Sequence, residues 1–158
     1  MASRKFSIRD ERGATLLEFA IAATVFLTAM FAVLEFGRAL WIHNALADAA
    51  RRGARYATLQ CSPSDAGCPN SATSVQRVKN VVVYGDPNGG TKPLVDNLTT
   101  ANVDVTYAGF GLDTGTVSVS ITGYQFQFVL PLLVKTITMP GYTTTLPAEN
   151  AGYLPPNM

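Results

Sequence analysis

The chain has 158 residues, enough for one modest domain beside any membrane segment. Its 12 basic and 11 acidic residues nearly cancel, which gives no reason to expect nucleic acid or a strongly acidic partner. Charged residues make up 15%, below the usual value of about a quarter, and Ala, Thr, Val and Gly are abundant; this suits a membrane or assembly protein better than a soluble enzyme.

From Ala14 to Leu34 the sequence is apolar except for Glu18. A spanning helix needs roughly 20 apolar residues, so the run suffices only if the Glu18 turn is counted. Arg4, Lys5, Arg9 and Arg12 precede it, with Asp10 and Glu11 interspersed. By the positive-inside rule these hold the N-terminus in the cytoplasm and send the remainder outward. A cleaved secretory signal wants a shorter apolar core and a small-residue cut site beyond it. Here the run passes directly into E-F-G-R-A-L-W-I-H. A buried soluble helix would have no use for the basic leader, so the run reads as a signal anchor. Glu18 is then the anomaly. A carboxylate in hydrocarbon is costly and is a functional candidate by default, the plainer alternative being a place among the headgroups near Arg12.

No proline precedes Pro63, and the helical pattern continues past the apolar run. Ile42, Leu46, Ala49, Gly53 and Tyr56 recur on one face, while Asn44, Asp48, Arg51 and Arg55 occupy the opposite one. One helix is predicted from about Ala14 to about Leu59, roughly 69 Å long at 1.5 Å per residue. Glu35 to Arg38, and Asp48 to Arg51 or Arg52, are helix-spaced ion pairs on a solvated face. Ala45, Ala49, Ala50, Gly53, Ala54 and Ala57 form a small-residue surface for close packing, either on the protein's own sheet or on another subunit's helix.

Cys61 and Cys68 lie in C-S-P-S-D-A-G-C, a loop disulfide if the compartment is oxidising. Ser74 is placed as the cap of a short helix running to about Tyr84 and closed by Gly85 and Pro87. Strand signals follow. Val103, Val105 and Tyr107 alternate; Val117, Val119 and Ile121 share a face; after Gly123 the apolar set shifts by one to Tyr124, Phe126, Phe128 and Leu130, the mark of a bulge or a bend. L-P-L-L-V-K breaks the strand, and T-I-T-M-P-G-Y-T-T-T-L reads as a third, edge-like strand before an irregular tail. The expected fold is α+β: a long N-terminal helix, membrane-spanning in its first half and amphipathic in its second, packed by a small antiparallel β-sheet head.

No catalytic or metal-binding constellation is legible, and no cofactor is expected. His43 is alone, and as such a surface or interface residue; two cysteines without further ligands make a poor zinc site. No serine has a base in a motif, and Gly89, Gly90, Gly109 and Gly111 lack the Lys-Ser/Thr of a phosphate loop.

Gly13, four intervening residues and then Glu18, at the head of an apolar helix with a basic leader, resemble a type IV prepilin processing site. More specifically, R-G-A-T-L-L-E-F-A, L-E-F-G-R-A-L and N-A-L-A-D-A-A-R-R-G-A-R-Y-A resemble the TadE-like family of minor pilins (pseudopilins) of the Tad or Flp pilus system. The likeness covers about Arg12 to Ala57, extends more weakly through V-S-V-S-I-T-G-Y-Q-F-Q-F-V-L-P-L-L, and fades after Met139. It implies cutting by a prepilin peptidase between Gly13 and Ala14, with Glu18–Phe19 as the assembly signal. The resulting divisions are a leader (1–13), a pilin-core helix (14–36), its amphipathic continuation (37–59), a periplasmic head (60–146) and a tail (147–158). The implied partners are that peptidase, other major and minor Tad pilins, the inner-membrane assembly platform and the lipid bilayer. The implied setting is a bacterial inner membrane, single-pass, with entry into a pilus that serves adhesion or surface colonisation. The competing expectation is a signal-anchored periplasmic binding or adhesin module that keeps its leader and enters no filament. A membrane-anchored enzyme has no residues behind it.

Overall fold

The computed structural model describes residues 8–60, 71–109, 115–129 and 135–147. Cys61 and Cys68, and so the expected disulfide, lie outside them, as do Leu130 and the tail beyond Pro147.

Helix α1 spans Ile8–Ala57 without interruption. It begins a turn and a half before the predicted Ala14, because the Arg- and Glu-containing leader favours helix and a single glycine at position 13 is too small a penalty to break it. At the far end the Thr58 amide still bonds to the Ala54 carbonyl, after which Leu59 and Gln60 tighten onto Tyr56 and Ala57, the usual way a helix consumes its last carbonyls.

Helix α2 covers Ser71–Tyr84. The expected cap at Ser74 is corrected: Ser74 is buried within the helix, a turn below Val78 and Val82 on the same inward stripe. Burying that stripe against α1 carries the helix one turn upstream of the residue that local capping preference selects. The predicted stop holds, since Gly85 takes φ +79° and its amide bonds back to the Val81 carbonyl, a conformation that glycine adopts without steric cost.

Strands β1 (Val103–Ala108), β2 (Thr116–Ile121) and β5 (Tyr142–Pro147) form one antiparallel sheet with β2 in the centre. Strands β3 (Gln125–Gln127) and β4 (Thr136–Thr138) form a separate antiparallel pair. This differs from the expected single sheet in two places. The phase shift at Gly123 is a bend, not a bulge: Gly123 has φ +69° and sends the chain out of the first sheet into the second. The stretch Thr136–Leu146 is two strands broken at Pro140–Gly141, the first pairing with β3 and the second returning to the edge of β2. Alternation holds along β1, β2, β3 and β5, with Val117, Val119 and Ile121 fully buried, while all three residues of β4 are exposed.

The core joins Ile42, Leu46, Ala49, Ala50, Ala54 and Ala57 of α1 to α2 and the inner face of the larger sheet. The small-residue surface of α1 therefore meets the protein's own head. At Gly53 the approach is closest: a Cβ there would fall 2.2 Å from a methyl of Val82.

Candidate functional site: the bare helix and the clasp at its exit

The head descends along α1 in register. The Tyr107 hydroxyl reaches the Ala57 carbonyl at 3.4 Å. The Tyr142 hydroxyl sits 2.8 Å from Nδ1 of His43, their rings edge to face. The Arg38 guanidinium lies over the Phe126 ring, 4.4 Å from its centroid, and Glu35 meets the backbone of Val129. From Ala57 to Glu35 is roughly 33 Å of helix at 1.5 Å per residue. Towards the N-terminus of Glu35 the helix is bare.

On that bare half Leu16, Leu17, Phe19, Ile21, Val25, Phe26, Val33 and Leu34 are all exposed. α1 is long and apolar enough to cross a membrane. Its few hydroxyls suit that setting: Thr24 donates to the Ala20 carbonyl and Thr28 to the Thr24 carbonyl, each at 2.8 Å, so neither depends on water.

Gly13, Ala14, Glu18 and Phe19 all lie here, on continuous helix and exposed. Nothing stands within 4 Å of where a Gly13 Cβ would be, so no packing contact demands a glycine. Ala14 and Glu18 are four apart and so share a face, one turn from each other. Among the described residues Glu18 makes no hydrogen bond or ion pair.

Glu35 and Arg38 form a tighter arrangement than the expected surface pair. Arg38 donates to Oε2 of Glu35 at 2.7 Å, and the Glu35 side chain is only 14% exposed. The same guanidinium donates to the Gln127 carbonyl, and the Val129 amide donates to the same Glu35 oxygen at 3.3 Å. The pair thus clasps the end of β3 onto the helix where the bare half begins. The i, i+3 spacing announced the ion pair, but nothing in the sequence announced the clasp, because its other members are backbone atoms some ninety positions away. The second expected pair is present with Arg52 as the partner of Asp48, at 3.8 Å. His43 is at once exposed and in contact with Tyr142.

Among the described residues no group of three or more His, Cys, Asp and Glu side chains is placed to hold a metal ion. Fold and site together define an α+β protein whose single long helix is apolar and uncovered in its first half and carries a small head on its second. Residues 13–55 match the family model of the TadE-like proteins, so this stretch of the chain is TadE-like and points to a Tad pilus-associated protein. The match opens at Gly13 itself and runs through the helix to Arg55, leaving α2 and both sheets outside it. No curated protein and no solved structure matches the chain.

Proposed function

We propose that the protein is a minor pilin, or pseudopilin, that takes part in initiating, capping or adjusting a Tad-type pilus and is made as a precursor. A prepilin peptidase cuts between Gly13 and Ala14 on the cytoplasmic side, removing the leader 1–13 and keeping the apolar helix on the product. Residues 14–36 then serve first as the inner-membrane anchor and later as the filament-core helix, 37–59 as its amphipathic continuation, 60–146 as the periplasmic head and 147–158 as a tail. The observation that carries this reading is the uncovered apolar half of α1 bearing Glu18, which has no partner among the described residues, within a TadE-like match that begins at Gly13.

The mechanism follows from electrostatics in a dry environment. Cutting creates an ammonium at Ala14. When helices of neighbouring subunits stack, Glu18 of one lies against the new terminus of the next, and pairing offsets two desolvation costs at once. A shifted register would bury both charges unpaired, which costs several kcal/mol. The pair therefore selects register more than it adds stability. Partners are other Tad pilins and the inner-membrane assembly platform, and the role is structural.

Glu18→Gln keeps the size and removes the charge. In cells that carry the Tad machinery, the variant is expected to be processed normally but to be missing from sheared pili. If it enters pili as well as the parent chain, the pairing mechanism is wrong. If the parent chain remains wholly in the membrane fraction, the anchored-module reading replaces the pilin one.

A further inference from the structure

The clasp fixes the depth of one end of the head. The apolar run Ala14–Leu34 is about 31 Å long at 1.5 Å per residue, close to the hydrocarbon thickness of about 30 Å. Glu35 is the first charge after it, and so lies where hydrocarbon gives way to headgroups. The Val129 amide is hydrogen-bonded to Glu35. Val129 is therefore held at the same level, although it is remote in sequence.

What is held there is apolar. Val129 is 71% exposed, Ile137 on the paired strand is 42% exposed, and Phe128 is half-buried against Phe126 with the rings edge to face. Lys135, exposed at the start of the return strand, supplies a cation at the same end, as anionic headgroups favour. The five residues between, L-P-L-L-V, lie outside the described structure, and the inference stands on their two flanks.

The backbone of this end is also prepared for a medium poor in water. The Gln127 carbonyl is taken by Arg38, the Phe128 amide by the Lys135 carbonyl at 3.0 Å, and the Val129 amide by Glu35. A strand end normally leaves such groups to solvent, and in a bilayer each unsatisfied group is costly.

We propose that the β3–β4 end of the head is a second membrane contact: Phe128, Val129 and Ile137 rest in the outer interface of the lipid bilayer, with Lys135 at the phosphates, held there by Glu35 and Arg38. The occupant is lipid because this surface continues the uncovered apolar surface of α1 without a break in level. The inference rests on α1 being a membrane anchor. It goes beyond that reading in giving the head a fixed tilt against the bilayer before any assembly, which extraction into a filament must undo.

The chain has a single tryptophan, Trp41, so a fluorescent reporter can be moved in a Trp41→Phe background. The full chain is reconstituted into phosphatidylcholine–phosphatidylglycerol vesicles with phospholipids brominated near the headgroup or deep in the acyl chain. Val129→Trp is expected to emit to the blue of an exposed head control, Thr106→Trp, and to be quenched by the shallow bromines while the control is not. Phe26→Trp, within the bare helix, is expected to be quenched by the deep bromines. Quenching of Phe26→Trp without quenching of Val129→Trp overturns the second contact and leaves the anchor intact, as it would if this end instead awaits another protein. Failure of both overturns the anchor reading and the inference together.

Discussion

Tyr107 shows how a single side chain ties the far end of the head to the helix. Burial pushes its phenol up from 10.0 to about 12. Because the folded-state value is the higher one, the neutral phenol's contribution is complete below the unfolded value of about 10 and is lost as the pH rises towards 12. The detergent-solubilised chain should therefore lose urea resistance between pH ~10 and ~12, and Tyr107→Phe should reduce that loss, the remainder coming from Tyr124 and Tyr142, whose phenols burial also pushes up. Its hydroxyl bond to Ala57 is long, at 3.4 Å, so the substitution removes the titration at little other cost. An alkaline loss as steep in the variant as in the parent would refute this. At the same scale, Glu18 and Glu35 differ in how they could be read. Glu18 was legible because a charge inside an apolar run violates the pattern around it. Glu35 looked like an ordinary member of a surface pair, and its contacts with Val129 and, through Arg38, with Gln127 arise from folding alone.

Among elements, the packing of α1 on α2 depends on the absence of a side chain at Gly53. A Cβ there would lie 2.2 Å from Val82 and 3.4 Å from Val119. Val82 is β-branched, helical and fully buried, so it has little freedom to rotate away. Gly53→Ala should be destabilising by about 1–3 kcal/mol from overpacking, less the gain of up to about 1 kcal/mol from helix propensity. Gly37→Ala, where nothing stands within 4 Å, should bring only that gain. Urea midpoints of the two variants against the parent chain would test this, and a Gly53→Ala midpoint at or above the parent's would contradict the packing. Element type was readable because periodicity reports which face is buried: the α1 seam and the alternation through Val117, Val119 and Ile121 are both visible in the chain. Which partner each face meets was not readable. The same small residues suit a neighbouring helix or the protein's own sheet, and only the folded chain brings Val82 and Val119 against Gly53. The Gly123 phase shift was equally visible, but a bulge and a bend leave the same trace in sequence, and the pairing of β3 with β4 outside the first sheet decides it.

At the scale of the whole molecule, the protein divides its long helix between two media. One face of the second half is covered by its own head down to Glu35, and the first half is covered by none of the described residues. Such a helix needs lipid or other helices, and a pilin subunit meets both in turn. The proposed passage from one to the other requires a new N-terminus beside Glu18, and thus a cut at a residue lying within continuous helix. Gly13 suits that step, because glycine weakens a helix by about 1 kcal/mol relative to alanine and so eases the local opening that a peptidase needs. N-terminal sequencing of the chain extracted from membranes of cells carrying the Tad machinery tests this most directly. A start at Ala14, leaving a product that lacks the leader 1–13, is the predicted result; a start at Met1 or Ala2 would contradict it.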